Sequence, residues 1–167
     1  MNVEYGLICS RSIDYYCPDD PDPDTTIDGD VIASAGRLCR LNGNKVKGNV
    51  IIEPGGTLRA FNVMVDGNVQ SFKAYRVWLI DSYVGGNVQL KGTDGPRQGW
   101  VKNTRVEGDL QFEENISDMR AVRQHISGNA QFFKNNGDLK IKGNKIGGNL
   151  QCADNNVEIY VSNESVE

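Results

Sequence analysis

A Gly-(Asn/Asp)-aliphatic triplet recurs seven times and constrains the fold more than any other feature of this sequence. Successive triplet glycines are separated by 19, 19, 19, 22, 20 and 20 residues; they are Gly29, Gly48, Gly67, Gly86, Gly108, Gly128 and Gly148. A spacing this regular indicates a structural repeat of about 20 residues, in which each unit packs on its two neighbours.

Apolar and polar residues alternate inside each repeat, which is the period of a β-strand and not of a helix. One apolar stretch follows each triplet, a second alternating stretch appears near the end of each repeat, and a third aliphatic position comes just before the next glycine. That third position is aliphatic in all seven repeats: Val46, Val65, Val84, Val106, Ile126, Ile146 and Val166. Three short strands per repeat predict an all-β fold, a single-stranded parallel β-helix of about seven coils of 19–22 residues. A leucine-rich repeat would need an LxxLxL frame that is missing, and an antiparallel barrel would not explain columns at a constant offset.

The triplets are expected to form one corner of every coil. We expect their glycines to adopt positive φ and their Asn or Asp side chains to form a hydrogen-bonded ladder. A second ladder is predicted from the outward glutamines that follow the triplets, namely Gln70, Gln89, Gln111, Gln131 and Gln151.

Residues 1–28 precede the repeat, and residues 29–167 carry it. We interpret the first part as an N-terminal cap followed by an acidic, proline-rich linker over 18–24, with calcium binding by the linker's carboxylates as an alternative. The extra residues of the fourth coil, 91–99, predict a loop that protrudes from one corner and either lies near a binding surface or is a neutral bulge.

The four cysteines are interpreted by position. Cys9 and Cys17 either close a small cap loop, or one of them reaches Cys39 in the first coil; either disulfide would imply an exported protein. Cys152 lies in an inward column and is expected to be a buried apolar thiol. The cysteine and histidine spacings do not match a zinc site, and we predict no metal or other cofactor.

One outward column collects cations and aromatics and is the candidate ligand-binding strip. It comprises Arg40, Arg59, Trp78, Trp100, Arg120, Lys140 and Tyr160. A second outward column forms a secondary strip where the two share a face or adjoin: Lys45, Met64, Tyr83, Arg105, His125, Lys145 and Ser165. Tryptophan faces stack on sugar rings and Arg or Lys pairs with carboxylate or sulfate, so the strips suit an acidic polysaccharide. The alternative interpretation is that these side chains only stabilise neighbouring strands.

Other function classes are less well supported by the sequence. The net charge of -4 argues against nucleic acid as a partner. His125 stands alone, and no catalytic residue is predicted, although a polysaccharide lyase or hydrolase remains an alternative. The acids considered, Asp66, Asp81, Glu107, Glu113 and Glu114, do not recur as a cluster in one outward column. No apolar run is long enough to cross a bilayer. No signal peptide is visible, and we expect a leader to be missing from this sequence.

The repeated phrases Lys47-Gly48-Asn49-Val50, Gly85-Gly86-Asn87-Val88-Gln89-Leu90 and Gly147-Gly148-Asn149-Leu150-Gln151-Cys152 resemble those of exported bacterial proteins of unassigned role with reiterated V-x-G-N-V coils. The resemblance covers 29–167 and implies a right-handed parallel β-helix outside the cytoplasm. A more distant likeness is to bactofilins, cytoskeletal β-helices that polymerise end to end. Their coils are shorter and more uniform, and they lack both the cysteine-bearing cap and the loop at 91–99.

Together these observations predict a non-enzymatic, extracellular or cell-envelope β-solenoid that binds a surface or matrix polymer such as an acidic polysaccharide or a cell-surface glycan. The competing prediction is a bactofilin-like structural scaffold that self-associates through its last coil.

Overall fold

The chain forms a β-solenoid of about seven turns, built from three parallel sheets. The computed structural model describes residues 13–17, 20–162 and 164–166, and within these residues it contains no helix. Each coil contributes one strand to each sheet before the chain rises to the next coil. The predicted all-β fold with three strands per repeat is therefore confirmed.

The strands follow the chain in a fixed order around the axis. In the first sheet Tyr15–Cys17 precedes the repeat, and each further strand begins at the aliphatic residue of a triplet: Val31–Ala33, Val50–Ile52, Val69–Phe72, Val88–Lys91, Leu110–Glu113, Ala130–Phe133 and Leu150–Ala153. The second sheet contains Leu38–Asn42, Thr57–Phe61, Arg76–Ile80, Gly99–Lys102, Met119–Val122, Leu139–Lys142 and Ile159–Ser162. The third contains Thr26–Ile27, Lys45–Val46, Met64–Val65, Tyr83–Val84, Arg105–Val106, His125–Ile126, Lys145–Ile146 and Ser165–Val166.

Equivalent residues of successive coils are direct strand partners. Residues one repeat apart in the sequence therefore lie side by side along the solenoid. Val65 pairs with Val84 and Val84 with Val106, and all three are fully buried. Side chains on a strand point alternately to its two faces. One alternate set therefore fills a continuous apolar interior, in which Phe112 meets Phe132 edge to face with ring centroids 5.3 Å apart.

The triplet corner is held by the predicted asparagine and aspartate ladder. The Oδ1 atom of the triplet's Asn or Asp accepts a hydrogen bond from the backbone N–H of the equivalent residue in the next coil. Asn87 donates in this way to Asn68 at 2.8 Å, and Asp109 donates to Asn87 at 2.8 Å. The same bond joins all seven triplets.

The prediction that the triplet glycines adopt positive φ is wrong. Glycine is required there because the coils approach too closely for a side chain: a Cβ on Gly86 would lie 2.9 Å from the carbonyl oxygen of Gly67 and closer still to Oδ1 of Asn68.

Positive φ occurs instead at the other two corners, mostly at residues other than glycine. The corner between the second and third sheets has it at Asp24, Gly43, Asn62, Asp81, Asn103, Arg123 and Gly143. The corner between the first and second sheets has it at Gly36, Gly55, Lys73, Gly92, Glu114, Lys134 and Asp154. Beside this second corner a buried asparagine ladder replaces apolar packing, since Asn115 donates its backbone N–H to Oδ1 of Asn135 at 3.1 Å.

The N-terminal end of the interior is closed by residues that precede the repeat. Strand Tyr15–Cys17 extends the first sheet, and a disulfide joins buried Cys17 to buried Cys39 of the second sheet. This pairing is one of the two alternatives left open by the sequence; Cys9 lies outside the described residues. The division at residues 28 and 29 stays a prediction, although Thr26–Ile27 already pairs with the third sheet.

The C-terminal end of the interior is open. Inward positions of the last coil that would otherwise be buried reach solvent, including Cys152, Val161 and Val166. The prediction that Cys152 is a buried thiol is therefore wrong: it does occupy the inward column beside Phe132, but no described residue covers its other side.

Candidate functional site: a cationic face on the second sheet

The candidate strip is one unbroken row on the outer face of the second sheet. Each of its seven members pairs with the next across neighbouring strands, in the order Arg40, Arg59, Trp78, Trp100, Arg120, Lys140 and Tyr160. The secondary strip is also a continuous row, but it lies on the third sheet. The two strips therefore do not share a face, and the corner between the second and third sheets separates them.

Cations cover the tryptophan rings of the strip. The guanidinium carbon of Arg76 lies 4.7 Å from the centroid of the Trp78 ring, and that of Arg59 lies 5.1 Å from it. Arg120 approaches Trp100 to 5.3 Å, and Lys102 approaches it to 5.9 Å. These contacts agree with the interpretation that the tryptophans stabilise neighbouring strands and hold the cations in place.

The loop over 91–99 packs back against the strip. Trp78 donates its indole N–H to the carbonyl oxygen of Gln98 at 2.9 Å, and Trp100 donates its own to the Gln98 side-chain oxygen at 3.3 Å. A groove of about 390 Å³ lies between the loop and the two rings, lined in part by Arg97 and Asp118. The loop therefore contributes residues to this face of the solenoid.

Most cations of the second sheet have no carboxylate partner within the part of the chain that the structure describes. They are Arg59, Arg76, Lys102, Arg120, Lys140 and Lys142, together with Arg97 of the loop. Arg40 is different, because Asp20 lies 3.1 Å from its guanidinium and also accepts its backbone N–H.

The other two sheets neutralise several of their cations. Lys45 of the third sheet pairs with Asp66 at 3.5 Å, and Arg105 pairs with Glu107 at 2.5 Å. Hydrogen bonding to Glu107 raises the pKa of Arg105, and its partner's pKa is lowered by the same contact and by Ser127. On the first sheet Lys91 pairs with Glu113 at 3.1 Å. Unpaired positive charge is thus concentrated on the second sheet.

A groove of about 480 Å³ follows the C-terminal half of the strip. Its cationic and aromatic lining is Arg120, Lys140, Lys142 and Tyr160, with Asp118 and Asp138 at the rim where the strands begin. Hydrogen bonding to Glu158 raises the pKa of Tyr160 and fixes its hydroxyl at the end of the groove.

Three residues of this face were missed by the sequence interpretation: Arg76, Lys102 and Lys142. They occupy the outward positions two residues before or after the strip. Reading every alternate outward position of the central strand, instead of one column, would have found them.

Outside the second sheet, the sequence predicted a glutamine ladder and considered calcium binding by the acidic run. The glutamine ladder is confirmed in part on the first sheet, where Gln70 donates to Gln89 at 2.9 Å, Gln89 to Gln111 at 3.4 Å and Gln131 to Gln151 at 2.8 Å. Within the described chain no three His, Cys, Asp or Glu side chains gather as metal ligands, and Asp20 of the acidic run serves Arg40. Among the same residues there is no helix with the length and apolarity needed to span a membrane.

The fold and this face define the chain as a parallel β-solenoid with one cationic, aromatic side. Comparisons with protein-family models, with curated proteins and with solved structures find no match to it.

Proposed function

We propose that this protein is a non-enzymatic, exported binding module whose second sheet binds an acidic polysaccharide. The observation that carries the proposal is the set of unpaired cations on that sheet, beside neighbouring faces where Lys45 and Arg105 have carboxylate partners. Unpaired surface cations on a protein of net charge -4 are a local feature that favours an anionic ligand.

The length of the strip favours a polymer over a small molecule. Strands repeat about every 4.8 Å along the axis, so seven residues from Arg40 to Tyr160 span on the order of 30 Å. A chain with a negative charge on successive sugars matches such a row. Because the protein as a whole is acidic, a highly charged nucleic acid is a poorer match.

Export is supported by the Cys17–Cys39 disulfide. Disulfides persist in oxidising compartments and are rare in the cytosol. We therefore propose an extracellular or cell-envelope location, in agreement with the resemblance to exported V-x-G-N-V coil proteins.

Binding is tested with polygalacturonate, dextran sulfate and neutral dextran, by titration calorimetry at two salt concentrations. We expect both acidic polymers to bind, with weaker binding at higher salt, because salt screens exposed charges. The variant with Arg120→Ala, Lys140→Ala and Lys142→Ala is expected to bind about tenfold more weakly, at roughly 0.5 kcal/mol per charge.

The matched control is Lys45→Ala with Lys47→Ala and Arg105→Ala, which removes the same charge from cations that already have carboxylate partners. Equal losses in the two triple variants would show that only net charge matters and would contradict a site on the second sheet. Shortening of the polymer during the titration would instead favour the lyase or hydrolase alternative.

A second candidate function is a self-associating scaffold. It is favoured by the last coil, where Val161 and Val166 are about half exposed at 47% and 52% although their columns are buried elsewhere. Sedimentation over a range of concentrations tests it. We expect Val161→Asp to abolish any association through this end, and Ile116→Asp, an exposed apolar residue on a corner loop, to leave it unchanged.

A further inference from the structure

Arg76 is the most unusual cation of the second sheet because it is both charged and enclosed. It begins the strand Arg76–Ile80 and lies on the outer side of the sheet, as Trp78 does two residues later. Only 6% of it is exposed. One coil further on, the equivalent position is Gln98 of the loop.

Two nitrogens of the enclosed guanidinium have no hydrogen-bond acceptor among the described residues. Its Nε and Nη1 atoms are buried and unpaired, and the neighbouring Arg59 has a buried, unpaired Nε. No carboxylate of the described chain lies within ion-pair distance of either side chain. An arginine stays protonated in proteins, so this arrangement places an uncompensated charge in a poorly solvated position.

The surrounding charges add to this cost. Burial lowers the pKa of Arg76, and the positive charges of Arg59 and Arg97 lower it further. Burial of a charge is tolerated when a partner of opposite sign completes the site. Two arginines over the Trp78 ring and a third, Arg97, in the groove beside it would therefore be stabilised by a bound anion.

We infer that Arg76, Arg59 and Arg97 form a subsite for one oxyanion group, a carboxylate or a sulfate, next to Trp78; this rests on the proposed binding of an acidic polysaccharide by the second sheet. Guanidinium groups pair with such oxyanions through two parallel N–H bonds. Arg97 is exposed on the loop and lines the groove beside Trp78, from which an oxyanion would approach the other two arginines.

Trp78 acts as a positioning residue for this subsite. Its ring contacts the guanidinium groups of Arg59 and Arg76, and its indole N–H is fixed by the Gln98 carbonyl. The loop over 91–99 thus connects the ring that orients two of the arginines with the third arginine. The loop over 91–99 thereby acquires a role in ligand binding.

The test uses the full chain with Arg76→Met, which keeps an unbranched apolar side chain and removes the guanidinium charge. The control is Arg105→Met, which removes an exposed arginine that already pairs with Glu107. Two quantities are measured: the shift in Tm caused by sodium sulfate relative to sodium chloride at equal ionic strength, and the affinity for dextran sulfate and polygalacturonate.

Sulfate stabilises most proteins through exclusion from their surface, so the comparison between variants carries the result. We expect a smaller sulfate shift and about tenfold weaker polymer binding in Arg76→Met than in Arg105→Met. Without anions, Arg76→Met is expected to be at least as stable as the original chain, because a buried unpaired charge is removed. Preference between the two polymers assigns the oxyanion to sulfate or to carboxylate.

Equal sulfate shifts in Arg76→Met and Arg105→Met, with polymer binding retained, would overturn the subsite and leave the proposed function standing. A sulfate shift that depends on Arg76 without any polymer binding would support the subsite and overturn the proposed function. If Arg76→Met does not fold, Arg97→Met on the exposed loop replaces it, and an unchanged sulfate shift in that variant overturns the inference.

Discussion

Trp78 and Trp100 occupy the same position in neighbouring coils and donate their indole N–H groups to the same residue, Gln98, one to its carbonyl and one to its side chain. This shared partner joins the loop over 91–99 to the candidate binding face. It also means that the two rings are fixed within the protein before any ligand arrives.

Gln98→Ala removes the acceptor of the Trp100 indole. We expect the free energy of unfolding to fall by about 1 kcal/mol, since one partly buried hydrogen bond is lost. The matched control is the same change in a Trp100→Phe background, where the indole N–H is absent and this loss should disappear. Urea unfolding followed by tryptophan fluorescence measures both, and an equal loss in the two backgrounds would contradict the role of this bond.

Asn68→Ala interrupts the triplet ladder. The backbone N–H of Asn87 then has no acceptor, and we expect a loss of about 2 kcal/mol in the free energy of unfolding. Asn68→Asp restores the acceptor between two asparagine neighbours, as Asp109 does naturally between Asn87 and Asn129, and should remain close to the original stability. Chemical denaturation distinguishes the two; similar losses in both variants would argue against the ladder.

Arg123→Gly is expected to stabilise the protein. Arg123 has a φ of 58°, and an L-residue in this left-handed region costs about 1 kcal/mol relative to glycine. The side chain is exposed, so little packing is lost. Arg123→Ala, which removes the side chain beyond Cβ but keeps the strain, should leave Tm unchanged, and a Tm for Arg123→Gly no higher than that of Arg123→Ala would refute the prediction.

Loss of the Cys17–Cys39 disulfide should loosen the N-terminal coil. For a separation of 22 residues the chain-entropy estimate is about 3 kcal/mol. Hydrogen exchange of the double variant Cys17→Ala with Cys39→Ala should accelerate first at Val31–Ala33 and Leu38–Asn42, the strands nearest the bridge. Cys152→Ser, which removes an exposed thiol with no disulfide partner, should exchange like the original chain; faster exchange spread evenly over all coils would contradict a local role.

The thiol of Cys152 should react more slowly than a fully solvated thiol at neutral pH. Its inward side is desolvated, and this partial burial raises its pKa. A raised pKa leaves less of the reactive thiolate at a given pH, so labelling should continue to accelerate with pH beyond the range where a cysteine peptide has levelled off. Stopped-flow labelling against such a peptide measures this, and coincident pH profiles would disprove it.

Several features could be predicted from the sequence for a physical reason. In a stacked parallel solenoid the repeat period sets the strand register, so Arg59 had to lie beside Trp78 and Gln70 beside Gln89 once the triplets were aligned. The sequence placed the triplet glycines at a corner, but it did not reveal why glycine is needed there. The reason is close contact with the preceding coil, which a one-dimensional pattern does not show.

The sequence by itself determined the columns: the spacing of the triplets and the two-residue alternation decide which residues are neighbours and which point inward. Only the tertiary structure decided how those columns are used. It placed the two outward strips on different sheets, enclosed Arg76 with no carboxylate partner among the described residues, and left Cys152 exposed at the end of the interior. Burial and charge pairing depend on the angle at each corner and on how the loop over 91–99 packs back, and neither of these is periodic in the sequence.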